Sequence, residues 1–226
     1  MINKRPLKFY VDKIKNNEVF SFSRYGDGEW IYMTCPSGRT RINKEMDYFP
    51  EAAESLRKTI LFPKASSSYF YGLQRLALKM FADKIPSTID WHGSDLFHHA
   101  SISGALSPLI ASIVEKDVVF VGPRYLKNIN SIIPYVDFIE IDGKNCYTQI
   151  HDILKRIKDT KRESGNMIYS FSAGAFTNIM IYKLYDEMKN NWLIDFGSVW
   201  DPYVNQNTRG YHKKMTRDLI SINTGG

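Results

Sequence analysis

The residues best suited to chemistry are two acids separated by one glycine, in the segment Gly26-Asp27-Gly28-Glu29. Alternating aromatic and serine residues predict a strand over 19–25, and the glycines after it predict a tight turn or loop. Two carboxylates that point the same way from such a loop can bind a hard divalent cation, which takes its other ligands from water and phosphate. A solvent-exposed acidic turn is the alternative. The strand-end position and the neighbouring Arg24 bring the two interpretations level.

A second candidate is the run of small residues Ser172-Ala173-Gly174-Ala175, which joins a predicted strand over 167–172 to a predicted helix over 176–190. Small side chains at a helix start leave backbone N–H groups and the helix dipole free to hold a phosphate. The run matches neither the Walker pattern nor the dinucleotide G-x-G-x-x-G pattern, which argues against a P-loop NTPase and a Rossmann dehydrogenase. The alternative is a junction that needs small residues only for packing.

Two further acids, Asp195 and Asp201, lie at and after the last predicted strand, 192–197, close to Trp200 and Tyr203. An aspartate beside aromatic rings suits a general base that acts near a sugar or a stacked nucleobase. The alternatives are that Asp195 is buried in a backbone hydrogen bond and that Asp201 is an N-cap or turn residue before proline.

The elements that must position these residues alternate between strands and helices. Further strands are predicted at 67–72, 117–122 and 138–142, and further helices at 6–17, 46–62, 73–85, 106–116, 124–133 and 146–163. The segment 86–105 is predicted to be a long loop with at most a helical turn. Apolar strands that alternate with helices predict an α/β fold with a mainly parallel sheet flanked by helices. In such sheets ligands bind beyond the carboxyl ends of the strands, where all the acids above are expected.

Length and composition limit the class of protein. The 226 residues fit one domain, 1–226, and 43% of them are hydrophobic, which is enough for a core. No apolar run reaches the roughly 18 residues of a membrane span, and the N-terminus does not resemble a secretory signal.

The two cysteines, Cys35 and Cys146, predict structural thiols in a reducing, cytoplasmic compartment. Three histidines between positions 92 and 99 lack zinc-site spacing, and no G-x-S-x-G nucleophile elbow is present.

The chain carries a net charge of +6 and has a pI near 9.1. Such a charge favours a polyanionic partner, namely nucleic acid, an anionic membrane surface or a phosphate-bearing substrate, although many proteins carry it without that meaning. Basic residues concentrate in two clusters, at 155–162 and at 213–217. These clusters form either solvated helix faces or contacts to nucleic-acid phosphates.

The order of these motifs resembles that of a known family. Arg24-Tyr25-Gly26-Asp27-Gly28-Glu29 is similar to the R-Y-G-D-G-E signature, with its D-x-E motif, of the GT-D glycosyltransferases. The later segments 170–175 and 193–198 are similar to that family's strand, small-residue turn and D-x-G ending, and Ser198 stands where the family commonly has histidine. The likeness covers roughly residues 19–204 and implies a Rossmann-like GT-D architecture.

What the resemblance implies is a glycosyltransferase (a hexosyl- or pentosyltransferase) that uses a nucleotide-diphosphate sugar as donor. Asp27 and Glu29 would hold a manganese or magnesium ion at the pyrophosphate, where a cation neutralises the charge that develops on the leaving group. Either Asp195 or Asp201 would be the general base. The residues expected to contact the donor are Arg24, Tyr25, Gly26, Ser172, Gly174 and Ser198.

The acceptor stays open between two classes. Members of the family are expected to glycosylate glycans, whereas the charge of this chain favours duplex DNA that carries a hydroxymethylated base, extruded from the helix and stacked on an aromatic ring. Two other functions use the same observations. The paired acids also suit a metal-dependent phosphohydrolase or nuclease, and the charge alone suits a non-catalytic nucleic-acid-binding module.

Overall fold

A computed structural model describes residues 2–35, 47–143 and 145–226. Within these residues the strands are β1 (Ile2–Asn3), β2 (Ser21–Tyr25), β3 (Tyr69–Leu73), β4 (Trp91–Gly93), β5 (Asp117–Gly122), β6 (Asp137–Glu140), β7 (Met167–Phe171) and β8 (Trp192–Asp195). They form one eight-stranded sheet in the order β1-β4-β3-β2-β8-β7-β5-β6, and every neighbouring pair is parallel. The predicted α/β fold with a parallel sheet is therefore confirmed.

Helices cover both faces of this sheet. The α-helices are α1 (Leu7–Lys15), α2 (Asp27–Thr34), α3 (Pro50–Leu61), α4 (Arg75–Phe81), α5 (Leu96–Ile102), α6 (Ser107–Val114), α7 (Ile150–Asp159), α8 (Phe176–Leu184) and α9 (Arg217–Thr224). Short 3-10 helices span Arg124–Ser131, Cys146–Gln149, Asp201–Val204 and Gly210–Lys214. No single α-helix of the described chain is long and apolar enough to cross a membrane. Only α5 and α6 taken together meet that test of length and composition, with a bend of 110° between them.

The strand side chains divide between two hydrophobic clusters because successive residues of a strand point to opposite faces. In β5, Val118 and Phe120 lie in one cluster, while Val119 and Val121 lie in the other. All four are buried, as expected for a strand covered on both faces, and this explains the continuous apolar run in the sequence.

Four regions differ from the sequence prediction. The segment 86–105 is not a long loop, because it contains β4 and α5, which are too short to show a clear periodicity. Asp27-Gly28-Glu29 does not form the predicted tight turn or loop, because these residues are the start of helix α2. The helix predicted at 124–133 is a 3-10 helix over Arg124–Ser131, and α3 begins at Pro50. Position 46, where that helix was predicted to begin, lies outside the described residues.

In the sheet order β2 and β8 are neighbours, with β3 and β4 beyond β2 on one side and β7, β5 and β6 beyond β8 on the other. Ligands of open parallel sheets bind in a crevice beyond the carboxyl ends of the strands. Here β2 and β8 pair only at Ser21–Leu193 and Phe22–Ile194, and Arg24 and Asp195 lie beyond these pairs.

Candidate active site

Asn178, a buried residue in α8, binds the backbone of Arg24 beside the crevice. Its side-chain oxygen accepts a hydrogen bond from the backbone N–H of Arg24 (3.1 Å), and its amide donates one to the Arg24 carbonyl (2.7 Å). These backbone groups lie beyond the last pair between β2 and β8, so the asparagine satisfies them where the two strands separate. Asn178 thereby fixes the backbone from which the Arg24 side chain extends.

The guanidinium of Arg24 lies between an acid and a histidine. Its Nη1 is 4.0 Å from Asp195 Oδ1, and its Nη2 is 3.5 Å from His98 Nε2. Its Nε is buried without a hydrogen-bond partner among the described residues. Gly197 makes room for this group, because a Cβ at that position would collide with Nη1. Gly197 also has φ +56°, a left-handed conformation that favours glycine.

Asp195 ends β8 and is almost fully buried, with 5% of its surface exposed. Its Oδ1 accepts a hydrogen bond from the Gly197 N–H at 2.9 Å. Burial raises the pKa of Asp195 from 3.8 to about 7, and Glu29 raises it further, while Arg24 opposes the change. The carboxyl group therefore titrates near neutral pH, in the range useful for proton transfer.

Asp27 and Glu29 occupy the first and third positions of α2. Glu29 Oε2 accepts a hydrogen bond from the Gly26 N–H at 2.7 Å, which closes half of a capping box. Burial raises the pKa of Glu29, and the nearby Asp27 contributes to the increase. The backbone N–H of Asp27 faces Gln74 Oε1 at 3.4 Å, which places this helix start beside the end of β3.

The number and surroundings of these acids decide whether the site suits a divalent cation. Glu29 and Asp195 both interact electrostatically with the Arg24 guanidinium, Asp27 interacts with Glu29, and burial raises the pKa values of Glu29 and Asp195. Across the described residues, no group of three or more His, Cys, Asp or Glu side chains is arranged to hold a metal. Two carboxylates nevertheless fit Mg²⁺ or Mn²⁺, because such ions take most of their ligands from water and substrate phosphates. A cation would also relieve the repulsion between the acids.

Ser172 and Gly174 follow β7 at the same edge of the sheet. The Ser172 hydroxyl is buried without a partner among the described residues, and such a group requires an explanation, which a bound ligand or water would supply. Gly174 is exposed with φ +58°, and a Cβ there would contact nothing within 4 Å, so its backbone conformation rather than lack of space requires glycine. The Ala173 N–H already binds Thr177 Oγ1 at 3.2 Å, which leaves fewer free N–H groups at this turn than the sequence predicted.

Tyr25 and Gly26 differ in their position. The Tyr25 side chain is fully buried, its hydroxyl lies 2.6 Å from Thr59 Oγ1, and its ring packs against Tyr71. This side chain therefore belongs to the core and does not line the crevice, contrary to the predicted donor contact. Gly26 is the N-cap of α2, at the crevice.

Tyr211, His212 and His98 border the site, and of these the two histidines were not assigned to it from the sequence. Tyr211 donates to or accepts from Ser198 Oγ at 2.9 Å, and its ring lies 4.6 Å from that of His98. Burial, followed by the Arg24 guanidinium, lowers the pKa of His98 to about 2, so the imidazole beside Arg24 is neutral. His212 Nε2 lies 3.1 Å from the Ser198 carbonyl. The segment that contains Tyr211 and His212 thus fixes the position of Ser198 and lies beside Arg24.

Asp201 has a different environment. It is buried, its Oδ1 accepts a hydrogen bond from the Tyr125 hydroxyl at 3.3 Å, and its Oδ2 accepts one from Thr208. Burial raises the pKa of Asp201 to about 6. Since both oxygens already have partners, Asp201 anchors the segment around Thr208, and its two oxygens are less available than those of Asp195.

Comparisons with known proteins show which fold this chain has. No protein-family model matches the chain, and no curated protein matches it. The chain is similar to a solved structure described as the selenomethionine-substituted structure of domain of unknown function 1792. The TM-score is 0.67, and the match covers 89% of this chain and 80% of that one. The two sequences are 17% identical, so the similarity shows a shared fold.

Proposed function

We propose that this protein is a metal-dependent glycosyltransferase that moves a sugar from a nucleotide-diphosphate donor to an acceptor hydroxyl. The observation that carries the proposal is that Arg24, Asp27, Glu29 and Asp195 lie close together at the carboxyl ends of the neighbouring parallel strands β2 and β8. The resemblance of residues 24–29 to the GT-D signature agrees with this placement.

Asp27 and Glu29 are the residues that would hold Mn²⁺ or Mg²⁺. When bound, the cation supplies positive charge that stabilises the leaving diphosphate. Arg24 would add hydrogen bonds to phosphate oxygens, since a guanidinium pairs well with such groups. Its orientation toward the crevice comes from Asp195 on one side and His98 on the other. The helix starts at Gly26 and near Gly174, together with the Ser172 hydroxyl, are further candidates for donor contacts.

Asp195 is the stronger candidate for the general base. Its pKa of about 7 allows it to accept a proton from the acceptor hydroxyl near neutral pH. Asp201 remains the second candidate, with a pKa of about 6 and two occupied oxygens.

A glycan is the favoured acceptor, and DNA with a hydroxymethylated base is the second candidate. One observation weakens the DNA proposal. The basic cluster at 155–162 lies on and after the C-terminal half of α7, which leads toward the amino end of β7 and so away from the crevice. Several of its charges are also paired, as in Lys158–Glu187 and Arg162–Asp117. The cluster at 213–217 lies directly after Tyr211, nearer the site.

The decisive experiment is a screen of nucleotide sugars for hydrolysis or transfer, with and without manganese, on the wild type and on three variants. Asp27→Ala and Glu29→Gln should abolish activity, whereas Asp83→Asn, at an exposed acid outside the site, should retain it. A phosphodiester substrate in the same screen tests the alternative. Hydrolysis of the diester, with every nucleotide sugar left intact, would favour a phosphohydrolase or nuclease. Full transfer activity in excess chelator would refute the metal requirement.

Glu29→Ala completes the series because it separates two roles of one side chain. Glutamine keeps an oxygen that can accept the Gly26 N–H but removes the charge, whereas alanine removes both. We expect Glu29→Gln to be more stable than wild type near neutral pH, because it removes a buried charge whose pKa is raised, and Glu29→Ala to be about 1 kcal/mol less stable than Glu29→Gln because it also removes the cap. Thermal unfolding in chelator measures this difference.

A further inference from the structure

A basic cleft lies at the same edge of the sheet, beside the proposed donor site. Its volume is about 170 Å³, and it is formed at the ends of β1, β3 and β4. Its charged and polar lining consists of Lys4, Arg5, Arg75, His99 and Asp95. Three cations therefore face one carboxylate, and His99 adds ring nitrogens that can form hydrogen bonds.

The cations of this cleft are free of competing ion pairs. In the described part of the chain, no salt bridge involves Lys4, Arg5 or Arg75. Asp95 is already engaged, because its Oδ2 accepts a hydrogen bond from the Arg75 backbone N–H at 3.1 Å. Three cations and one carboxylate leave the lining of the cleft with a net formal charge of +2, which suits an oxyanion.

The cleft and the paired acids are linked through one residue. Gln74 faces the backbone N–H of Asp27, and the next residue, Arg75, lines the cleft. Adjacent strands are about 5 Å apart, so the ends of β3 and β4 lie roughly 10 and 15 Å from the end of β8, which carries Asp195. This separation is comparable to the span of a disaccharide or a trisaccharide.

From this arrangement we infer that the cleft binds a negatively charged group, a carboxylate or a phosphate, on the acceptor glycan. The inference rests on the proposed function, since it assigns the acceptor to the class of acidic glycans. The small volume suits one anionic group rather than a continuous nucleic-acid backbone. Binding there would place a hydroxyl one or two sugars away at the crevice that contains Asp195.

Binding is tested first, without any donor. Inorganic phosphate and acetate are titrated into the full-length protein while backbone amide signals of Arg75 and Gly93 are followed by NMR. We expect the double variant Arg5→Gln/Arg75→Gln to weaken binding of at least one anion about tenfold. The control Lys79→Gln/Lys84→Gln removes the same charge outside the cleft and should bind like the wild type. Equal binding in all three proteins, or no binding in any, would overturn the inference.

Transfer is tested second, with the donor that the nucleotide-sugar screen identifies. A disaccharide acceptor ending in glucuronate is compared with its glucose counterpart. The Arg5→Gln/Arg75→Gln variant should raise KM for the acidic acceptor about tenfold with kcat unchanged, and should leave the neutral acceptor unaffected. If KM for the acidic acceptor is the same in the variant as in the wild type, the inference is overturned but the proposed function stands. A third outcome is that the variant loses anion binding while the wild type transfers sugar from no donor. This result would refute the proposed function and the acceptor assignment together, and the cleft would be an oxyanion site only. If duplex DNA binds only when Arg5 and Arg75 are present, and the acidic and neutral glycans are equally good acceptors, the glycan assignment is overturned.

Discussion

Replacing Asp195 by asparagine should stabilise the protein, and the gain should appear only above the pH at which an ordinary aspartate ionises. Burial raises the pKa of Asp195 to about 7 from the usual 3.8. A carboxyl group with a raised pKa holds its proton more tightly in the folded state than in the unfolded chain. Its contribution to stability is therefore complete below about pH 4 and is lost as the pH rises toward 7. Asparagine is nearly isosteric and stays neutral throughout.

The size of the effect follows from the pKa shift. A rise from 3.8 to about 7 is roughly three units, and each unit corresponds to about 1.4 kcal/mol, so ionising Asp195 costs the fold up to roughly 4 kcal/mol. The free energy of unfolding of Asp195→Asn should match that of wild type near pH 4 and exceed it progressively up to pH 7. Above that pH the difference should be constant. The repulsion between Asp195 and Glu29 forms part of this figure, because the variant also relieves Glu29.

Urea unfolding between pH 4 and pH 8, in chelator, measures this difference directly. His98, whose pKa is lowered to about 2, affects wild type and variant alike, so its contribution cancels in the comparison. Asp83→Asn, at an exposed position, provides the matched control and should show a flat difference. A flat difference for Asp195→Asn, or one that grows as the pH falls, would show that Asp195 is not a buried acid held near neutrality.

Three other substitutions test how the crevice is built. Gly197→Ala should lose about 1–2 kcal/mol through its left-handed backbone and displace the Arg24 guanidinium, so calorimetry should show weaker donor binding; unchanged binding would contradict the contact. Asn178→Ala leaves buried backbone groups of Arg24 without partners and should cost about 2–4 kcal/mol in urea unfolding, whereas a loss below 1 kcal/mol would argue against this role. Tyr25→Phe removes the bond to Thr59 and should cost about 1 kcal/mol without changing transfer kinetics; a lowered kcat would restore Tyr25 to the site.

The sequence predicted the parts of the fold that have strong local patterns. The apolar run Val118–Val121 became β5 at the predicted position, because a strand buried on both faces needs apolar side chains throughout. The segment that contains β4 was missed, since three residues of strand carry no periodicity and depend on pairing with β3 for their conformation. The strand β1 is shorter still and was also missed.

The candidate site shows the same division between local and distant information. Arg24 and Asp195 could be placed at the carboxyl edge because each lies at the end of a predicted strand. Asn178 could not, because its bonds to Arg24 join residues 154 positions apart, and no local pattern marks an asparagine that fills a gap between strands. His98 was missed for the same reason, since only the folded chain brings it beside Arg24 and Tyr211.

Glu29 shows why a local structural role does not exclude a chemical one. The Gly-x-x-Glu spacing at 26–29 is sufficient to explain the residue as half of a capping box, and the bond to the Gly26 N–H is present. That bond uses Oε2, however, and a carboxylate has about four lone-pair sites on two oxygens. The helix dipole favours a negative charge at the start of α2, but Glu29 also lies near the buried Asp195 and raises its pKa. Glutamine would serve as the cap without this repulsion. The proposed cation at Asp27 and Glu29 would offset the repulsion, which the capping of α2 does not require.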